Sequence, residues 1–596
     1  MDYMQCSICE LRCRVAEGRA GSCGLYELRD GRVAERFADH YLVACPISIE
    51  TMPILHFHPG TKFLQITTTG CNFNCPGCIS TVLVREMDSE SPALQHLSAE
   101  QVVSRAFESQ CSGIVFLMND PIAAFPTFLK VAKLARERGL KVGCASNAYF
   151  TPEALAELAP CLDFINIGMK GFTDSAYRNC GAPGIEPVLR NMKALHDAGV
   201  HVEVSCILTR ENQDEIKALA QYVAGLARSV PLQVMRFLPF ETADIALEPS
   251  IRDAEAFCGE LNDVLDYVYL FNTPGSELLH TYCPQCREVV MRREFYGPMG
   301  AKIRLPEKRL PHAATCPSCG SQLAVIGPPA ESSYQEGDFE GGYPLTRALE
   351  MVEAMLIAMG VAEKAVVARA WEDVLQDGGL NRLHMSIQHP RTYIEAVRYF
   401  GSKANVLDRS EALAAHLEDR LARVEAVAAS ASTHPRVYYA MGKPLFYFNG
   451  GRLENQLVET AGGVSLNRQL PPGGRPGRTL AVSELNALNP EVIFISAFIS
   501  NSVEDFCAEC LERGIDVDAV RNRRVYAHPA RGWDFGSPRW VLGLMVIAST
   551  LHPEECSFDL AAEADALYRE FYGMPFDVHG SNLSFSKPDR RWRWKK

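Results

Sequence analysis

Three cysteines within a short segment, Cys71-Asn72-Phe73-Asn74-Cys75-Pro76-Gly77-Cys78, are the residues of this chain best suited to chemistry. Three thiolates can hold three irons of a [4Fe–4S] cluster, whereas full ligation needs four. The fourth iron would then stay open to a small ligand, and an open metal position is a reactive one. With a fourth ligand from elsewhere, the same thiols would instead make a closed zinc loop. The preceding run, Phe63-Leu64-Gln65-Ile66-Thr67-Thr68-Thr69, is apolar and β-branched and reads as a strand. The cysteines therefore sit on the loop at its C-terminal end.

That loop needs a scaffold, and residues 60 to 240 supply one by alternating strand and helix. Gly113–Met118, Leu140–Ser146, Asp163–Lys170, Val202–Leu208 and Leu232–Pro239 read as further strands, the last closing the series. Helical stretches fall between them at Pro126–Arg138, from Pro152, and at Glu186–Ala198. Such alternation predicts an α/β fold with a parallel sheet, whose ligands gather at the C-terminal strand ends. A partial TIM-like (β/α)6 barrel is the expectation; periodicity alone also permits an open doubly wound sheet.

The order of motifs gives a resemblance. Cys6-x-x-Cys9-x-x-x-Cys13, Gly21-Ser22-Cys23-Gly24, His56-Phe57-His58-Pro59-Gly60, the CxxxCxxC loop, Asn119-Asp120-Pro121, Ser146-Asn147-Ala148-Tyr149, Met169-Lys170 and Arg236-Phe237-Leu238-Pro239 follow one another along the chain. From Cys6 to Gly327 this resembles radical S-adenosylmethionine (SAM) enzymes of the AmmeMemoRadiSam group, relatives of pyruvate formate-lyase activating enzymes. The resemblance implies a [4Fe–4S] cluster on Cys71, Cys75 and Cys78, with SAM on the open iron. It implies methionine and a 5′-deoxyadenosyl radical as products, and a flavodoxin or ferredoxin as reductant. By the same analogy Asn119, Asp120, Asn147, Lys170 and Arg236 are cofactor-binding candidates. Lys170 and Arg236 would hold the SAM carboxylate or a substrate anion, or else be charges at a barrel rim. Two positions depart from the pattern. Gly77 has no side chain to pack on the adenine, and Asp120 stands where the group has Glu.

Other cysteines also cluster. Cys283-Pro284-Gln285-Cys286 and Cys316-Pro317-Ser318-Cys319 are two knuckles around a stretch, Val289 to Arg304, able to form strands. This is a zinc-ribbon pattern with a structural role. Cys6, Cys9, Cys13 and Cys23 would close around a zinc ion or complete a second cluster. A closed four-cysteine set suits structural zinc. Cys111, Cys144, Cys161 and Cys258 stand alone and read as core residues, as do Cys507 and Cys510 on one helix face.

Past residue 330 the resemblance ends. Glu331–Gly342 is polar and glycine-bearing and reads as a linker. Thr346–Ala368 and Ser410–Ala428 have helical periodicity. Strands then follow at Pro435–Ala440, Glu491–Ser496 and Arg524–Ala527, with helices at Leu453–Gly462, Ser483–Leu488, Val503–Gly514 and Gly536–Leu551. This succession resembles the C-terminal lobe of periplasmic binding proteins for iron-siderophores and cobalamin. Tyr438, Tyr439, Phe446, Tyr447, Phe448, Trp533 and Phe535 would line a cleft for a flat or apolar ligand, or be ordinary core aromatics. The tail Lys587–Lys596 is basic, with two tryptophans.

Composition bounds the function. A chain of 596 residues suggests several domains. The expected boundaries are 1–58 (Cys-rich), 59–275 (barrel), 276–330 (ribbon), 331–345 (linker), 346–430 (helical), 431–575 (binding-protein-like) and 576–596 (tail). A balance of 59 basic against 72 acidic residues argues against a general nucleic-acid surface. The start MDYMQCSICE lacks a basic, then apolar, leader, and the apolar run Trp540–Leu551 is too short to span a bilayer. A cytoplasmic protein with no membrane partner is expected, its 21 cysteines serving as ligands and buried thiols. The expected activity is reductive SAM cleavage on a small-molecule substrate, such as a metal chelate or tetrapyrrole held by the C-terminal domain. The alternatives are an activase that installs a radical on a partner protein, and a non-catalytic metal- or chelate-binding protein.

Overall fold

The computed structural model describes residues 3–576, apart from 89, 240–242, 305–313, 333, 338, 340, 377, 472–475 and 500. The basic tail Lys587–Lys596 lies outside the described residues. The chain forms two compact units. The first runs to Thr346, except for Ser250–Arg252 and Thr273–Ser276, which join the second.

The first unit is built on an eight-stranded sheet. Its order is Val268–Phe271, Leu232–Arg236, His201–Leu208, Phe164–Gly168, Lys141–Ser146, Gly113–Phe116, Lys62–Thr67 and Val43–Ser48. All neighbours are parallel except the last pair, where Val43 faces Thr67 in an antiparallel register. Two strands differ from expectation. Val268–Phe271 extends the parallel series past Leu232–Arg236, and Val43–Ser48 adds an antiparallel edge. Among the described residues these two outer strands do not pair with each other, so hydrogen bonding leaves the sheet open. Strands such as Gly113–Phe116 are buried at every residue, which explains their unbroken apolar runs.

Helices cover the sheet where their caps allow them to start. Ser98 opens Ala99–Glu108 with a reciprocal capping box to Gln101. Thr151 accepts the Ala154 amide to start Pro152–Leu158, with proline at the favoured first position.

Four neighbouring strands, Phe164–Gly168 through Lys62–Thr67, end in the loops that carry Lys170, Asn147, Asn119-Asp120 and the three cysteines. Parallel pairing thus brings residues spread over a hundred positions to one sheet end. The ribbon segment forms a three-stranded antiparallel sheet, Thr281–Tyr282, Val289–Phe295 and Ala301–Arg304. It is tied to the turn Ile49–Thr51, which follows the edge strand Val43–Ser48, by a fully buried ion pair, Arg293 Nε to Glu50 Oε1 at 2.8 Å. The polar stretch read as a linker is also anchored. Glu336 is buried and accepts from Ser48 N and Thr51 Oγ1, and Gly342 N donates to Gln65 Oε1.

The second unit is mixed α/β. Its sheet runs Gly477–Thr479, Phe446–Phe448, Arg436–Ala440, Val492–Ile495, Val525–Ala527, the last three parallel. Helices Pro344–Ala358, Lys364–Glu372, Gly379–Ser386 and Pro390–Lys403 precede the long helix Leu407–Ser430. The helical run expected over Thr346–Ala368 breaks at residues 359–363. The largely apolar helix Trp540–Leu551 is mostly buried and packs along Leu407–Ser430; no helix among the described residues is long and apolar enough to cross a membrane. The seven aromatics read as possible cleft residues are core instead: Tyr438, Tyr439, Phe446, Tyr447, Phe448, Trp533 and Phe535 are all buried. The first five lie on two short strands whose two faces are both covered.

Candidate active site

The cysteine loop begins at Gly70, whose φ of +89° suits glycine. A Cβ there would lie 2.1 Å from Leu25 Cδ1. Phe73 then anchors the loop. It is buried and packs edge-on against Tyr149 and Tyr177 at 5.1 and 6.1 Å. Asn74 N donates to Cys180 O at 2.9 Å, and Arg85 donates to the Phe73 carbonyl. The Phe73 amide points at Cys71 Sγ, 3.4 Å away. Gly77 also has positive φ, and nothing lies within 4 Å of where its Cβ would stand.

Asn119 fixes the strand end that leads into this loop. Its Nδ2 donates to Thr68 Oγ1, Thr69 O and Gly70 O, and its Oδ1 accepts from Thr68 N. The amide is fully occupied by the protein. Asp120 is buried and caps its own turn, Pro121–Ala124. It accepts from Ile122 N at 3.0 Å, Ser146 Oγ at 3.1 Å and Asn147 N at 2.6 Å. Burial nevertheless raises its pKa above the usual carboxylate range. Asn147 closes the circuit by donating to Asn72 Oδ1 at 2.7 Å, inside the cysteine loop.

Lys170 is the cation of the site. Its side chain is exposed, on the loop that follows strand Phe164–Gly168. Burial would lower its pKa, but Cys75, Cys71, Tyr177 and Cys78 together hold it above the usual lysine value. Burial pushes Cys71 up to about 12, with Asp120 adding to the rise and Lys170 opposing it. Cys75 is raised first by a hydrogen bond with Cys180 and then by burial, while the same bond lowers Cys180. Ligating a metal would displace that proton. Tyr343, from the stretch after the ribbon, is also close, its nearest charges being Lys170 and Cys78.

The sequence candidates therefore divide. Asn119, Asp120, Asn147 and Lys170 join the cysteine loop at one end of the sheet. Arg236 does not enter this network. It is fully buried, with Nη1 on Glu248 Oε1 at 2.7 Å and Pro249 O at 2.9 Å, and Nε on Asn272 O at 3.2 Å. Asn72, Cys180 and Tyr343 were missed. Asn72 carried a signal, a polar residue beside a ligand cysteine; the other two carried none.

Thiol spacing separates the cysteine groups. Among the described residues, Cys283, Cys286, Cys316 and Cys319 form the group whose ligand atoms all lie within 4.8 Å of one another. Cys283 to Cys319 and Cys286 to Cys316 each measure 3.6 Å. Tetrahedral zinc with sulfur at about 2.3 Å requires sulfur pairs roughly 3.8 Å apart. Cys71, Cys75 and Cys78 are not drawn together in this way.

Comparison with known proteins agrees with this site. Residues 66–223 match the family model of the Radical SAM superfamily, a span that holds the cysteine loop, Asp120, Asn147 and Lys170. An uncharacterized protein of Methanocaldococcus jannaschii is 28% identical over 331 residues, covering 54% of this chain and 96% of the relative. Solved structures with some likeness include a periplasmic solute binding protein from Veillonella parvula, 20% identical over 35% of this chain and 70% of that one, at a TM-score of 0.30. The apo periplasmic heme-binding protein RhuT from Roseiflexus sp. is 14% identical over 35% of this chain and 97% of that one, at 0.26. These scores are low for a shared fold. The radical SAM domain at residues 66–223 indicates a radical SAM enzyme.

Proposed function

We propose that the first unit is an AmmeMemoRadiSam-type radical SAM enzyme that acts on a small molecule held by the second unit. One observation carries the reading. Three cysteines at CxxxCxxC spacing and Lys170 lie on loops at the same C-terminal end of a parallel sheet, and that donor set fits a [4Fe–4S] cluster. Cys71, Cys75 and Cys78 would hold the cluster. A reduced cluster held there would supply one electron to the sulfonium of bound SAM, whose C–S bond would break to give methionine and a 5′-deoxyadenosyl radical.

The chain's own residues do the rest. Lys170 offsets the negative charge of the thiolates and offers its ammonium to a carboxylate. Asp120 and Asn147 form a buried, hydrogen-bonded wall against the loop, a carboxylate suited to facing the SAM ammonium. Asn119 is a positioning residue, since its amide is spent on residues 68–70. Arg236 gets no cofactor role, being paired with Glu248. The thiol spacing of the ribbon supports structural zinc on Cys283, Cys286, Cys316 and Cys319.

The role of the second unit rests on its sequence likeness to siderophore- and cobalamin-binding lobes and on its parallel strands beside a long helix. A metal chelate or tetrapyrrole is the substrate class that fits. A flavodoxin or ferredoxin would supply electrons, in the reducing cytoplasm where such thiols persist.

The test is an anaerobic reconstitution with iron and sulfide, followed by SAM and dithionite. Wild type should form 5′-deoxyadenosine and Cys75→Ala should not. Background-level product from a fully loaded wild type, no more than Cys75→Ala gives, would defeat the reading.

A further inference from the structure

Four thiols of the N-terminal segment surround a hollow that a zinc ion would not leave. Cys6, Cys9, Cys13 and Cys23 line it together with Asn72 and an apolar shell that includes Ile8 and Val15. The hollow has room for a water-sized body at its centre. Four sulfurs at about 2.3 Å from a zinc ion leave no such space. The ribbon cysteines of the same chain show the contrast, with sulfur pairs at 3.6 Å. No three of the N-terminal sulfurs lie within 4.8 Å of one another. A cubane cluster demands that wider spacing, because each thiolate takes a different iron.

A second observation points the same way. Asn72 is 5% exposed and lines the hollow, and its buried Nδ2 has a hydrogen with no protein acceptor. Its Oδ1 is already held by Asn147 Nδ2 at 2.7 Å, which fixes the orientation of the amide. A buried donor without an acceptor costs stability unless something fills the role. Cluster sulfurs are acceptors, and hydrogen bonds to them tune the potential. The segment is also docked where a relay would be useful. Glu10 N donates to Tyr149 O, Thr151 N donates to Ile8 O, and Tyr26 OH donates to Ile122 O. These contacts fall on the loops after Asn147 and Asp120. Asn72 itself directly follows Cys71.

We propose that Cys6, Cys9, Cys13 and Cys23 hold a second [4Fe–4S] cluster, with Asn72 donating to one of its sulfurs. Its position makes it an entry point for electrons: it takes one electron at a time from a reduced ferredoxin- or flavodoxin-class carrier and passes one on toward the Cys71 loop. The destination of that electron rests on the function proposed above; the site itself does not.

Metal analysis of reconstituted protein tests it. Wild type should hold about eight irons and one zinc per chain by the cluster stoichiometry. The triple variant Cys71→Ala/Cys75→Ala/Cys78→Ala should keep half the iron and, after dithionite, a cluster EPR signal. Adding Cys13→Ser should remove it. In the triple variant, Asn72→Ala should shift the midpoint potential without removing iron. Wild type with half that iron and twice the zinc, or a triple variant without iron, would overturn the proposal. Iron that survives the triple variant in a protein that never cleaves SAM would instead strike the proposed activity and leave this site standing.

Discussion

Gly70 stands immediately before the first loop cysteine, and two independent constraints meet there. Its φ is +89°, and a Cβ would come within 2.1 Å of Leu25 Cδ1. Gly70→Ala should therefore displace Cys71. We expect a loss of about 1–2 kcal/mol from the backbone strain alone, and reduced iron in the reconstituted protein. Iron content equal to wild type would argue that the loop tolerates the shift. Asp120 is a second sensitive residue. Its oxygens accept from two backbone amides and a hydroxyl. Asp120→Asn replaces one acceptor by a donor and leaves a buried amide unpaired, at a cost of about 1–3 kcal/mol, readable as a lower urea midpoint. At this scale the sequence was legible where chemistry and spacing coincide, as in Cys71, Cys75 and Cys78. It was silent on Cys180 and Tyr343, because their nearness to the loop arises from chain reversal and not from any local pattern. For Arg236 the motif named the residue, but its pairing with Glu248 depends on a following loop that carries no motif.

Elements hold these residues through a few buried polar ties. Arg293 is the strongest example: besides Glu50 it donates to Thr281 Oγ1 at 2.6 Å and Leu55 O at 2.9 Å. Removing one partner of such a pair strands a buried charge. Glu50→Gln should cost about 3–5 kcal/mol and lower the unfolding temperature, whereas an unchanged Tm would show that the tie is dispensable. Glu35 gives a pH signature. It is buried against Thr127, whose N and Oγ1 donate to it, and burial raises its pKa from 4.5 to about 7. A carboxyl raised in the folded state is favoured in its protonated form. Its contribution is full below pH 4.5 and is lost as pH rises through about 7. The span corresponds to about 3 kcal/mol. Glu35→Gln should flatten this part of the stability profile; a slope unchanged from wild type would remove Glu35 as its source. The strand-and-helix alternation of the first unit was readable because buried parallel strands are continuous apolar runs. Val268–Phe271 was not, since four residues after a helix give too short a run to separate from a helix end.

On the scale of the whole molecule, three cysteine groups differ in how far apart their thiols stand. That difference supports zinc for the ribbon, and it bears most on the N-terminal set, which spacing in sequence left open between zinc and a second cluster. CxxC pairs and CxxCxxxC look equally suited to zinc in one dimension, whereas among the described residues the ribbon is the group that draws its sulfurs to 3.6 Å. Cys286→Ser should therefore lose one zinc per chain and leave iron content unchanged; loss of iron instead would contradict the assignment. The second unit was legible as an α/β fold from its periodicity. Of the two readings of its aromatics, burial favours the core one, since Tyr438, Tyr439, Phe446, Tyr447 and Phe448 are covered on both strand faces. The central claim concerns the open iron of the loop cluster, and EPR tests it most directly. SAM added to the dithionite-reduced protein should change the cluster spectrum of wild type, and Cys75→Ala should show no such change. A wild-type spectrum indifferent to SAM would contradict the account.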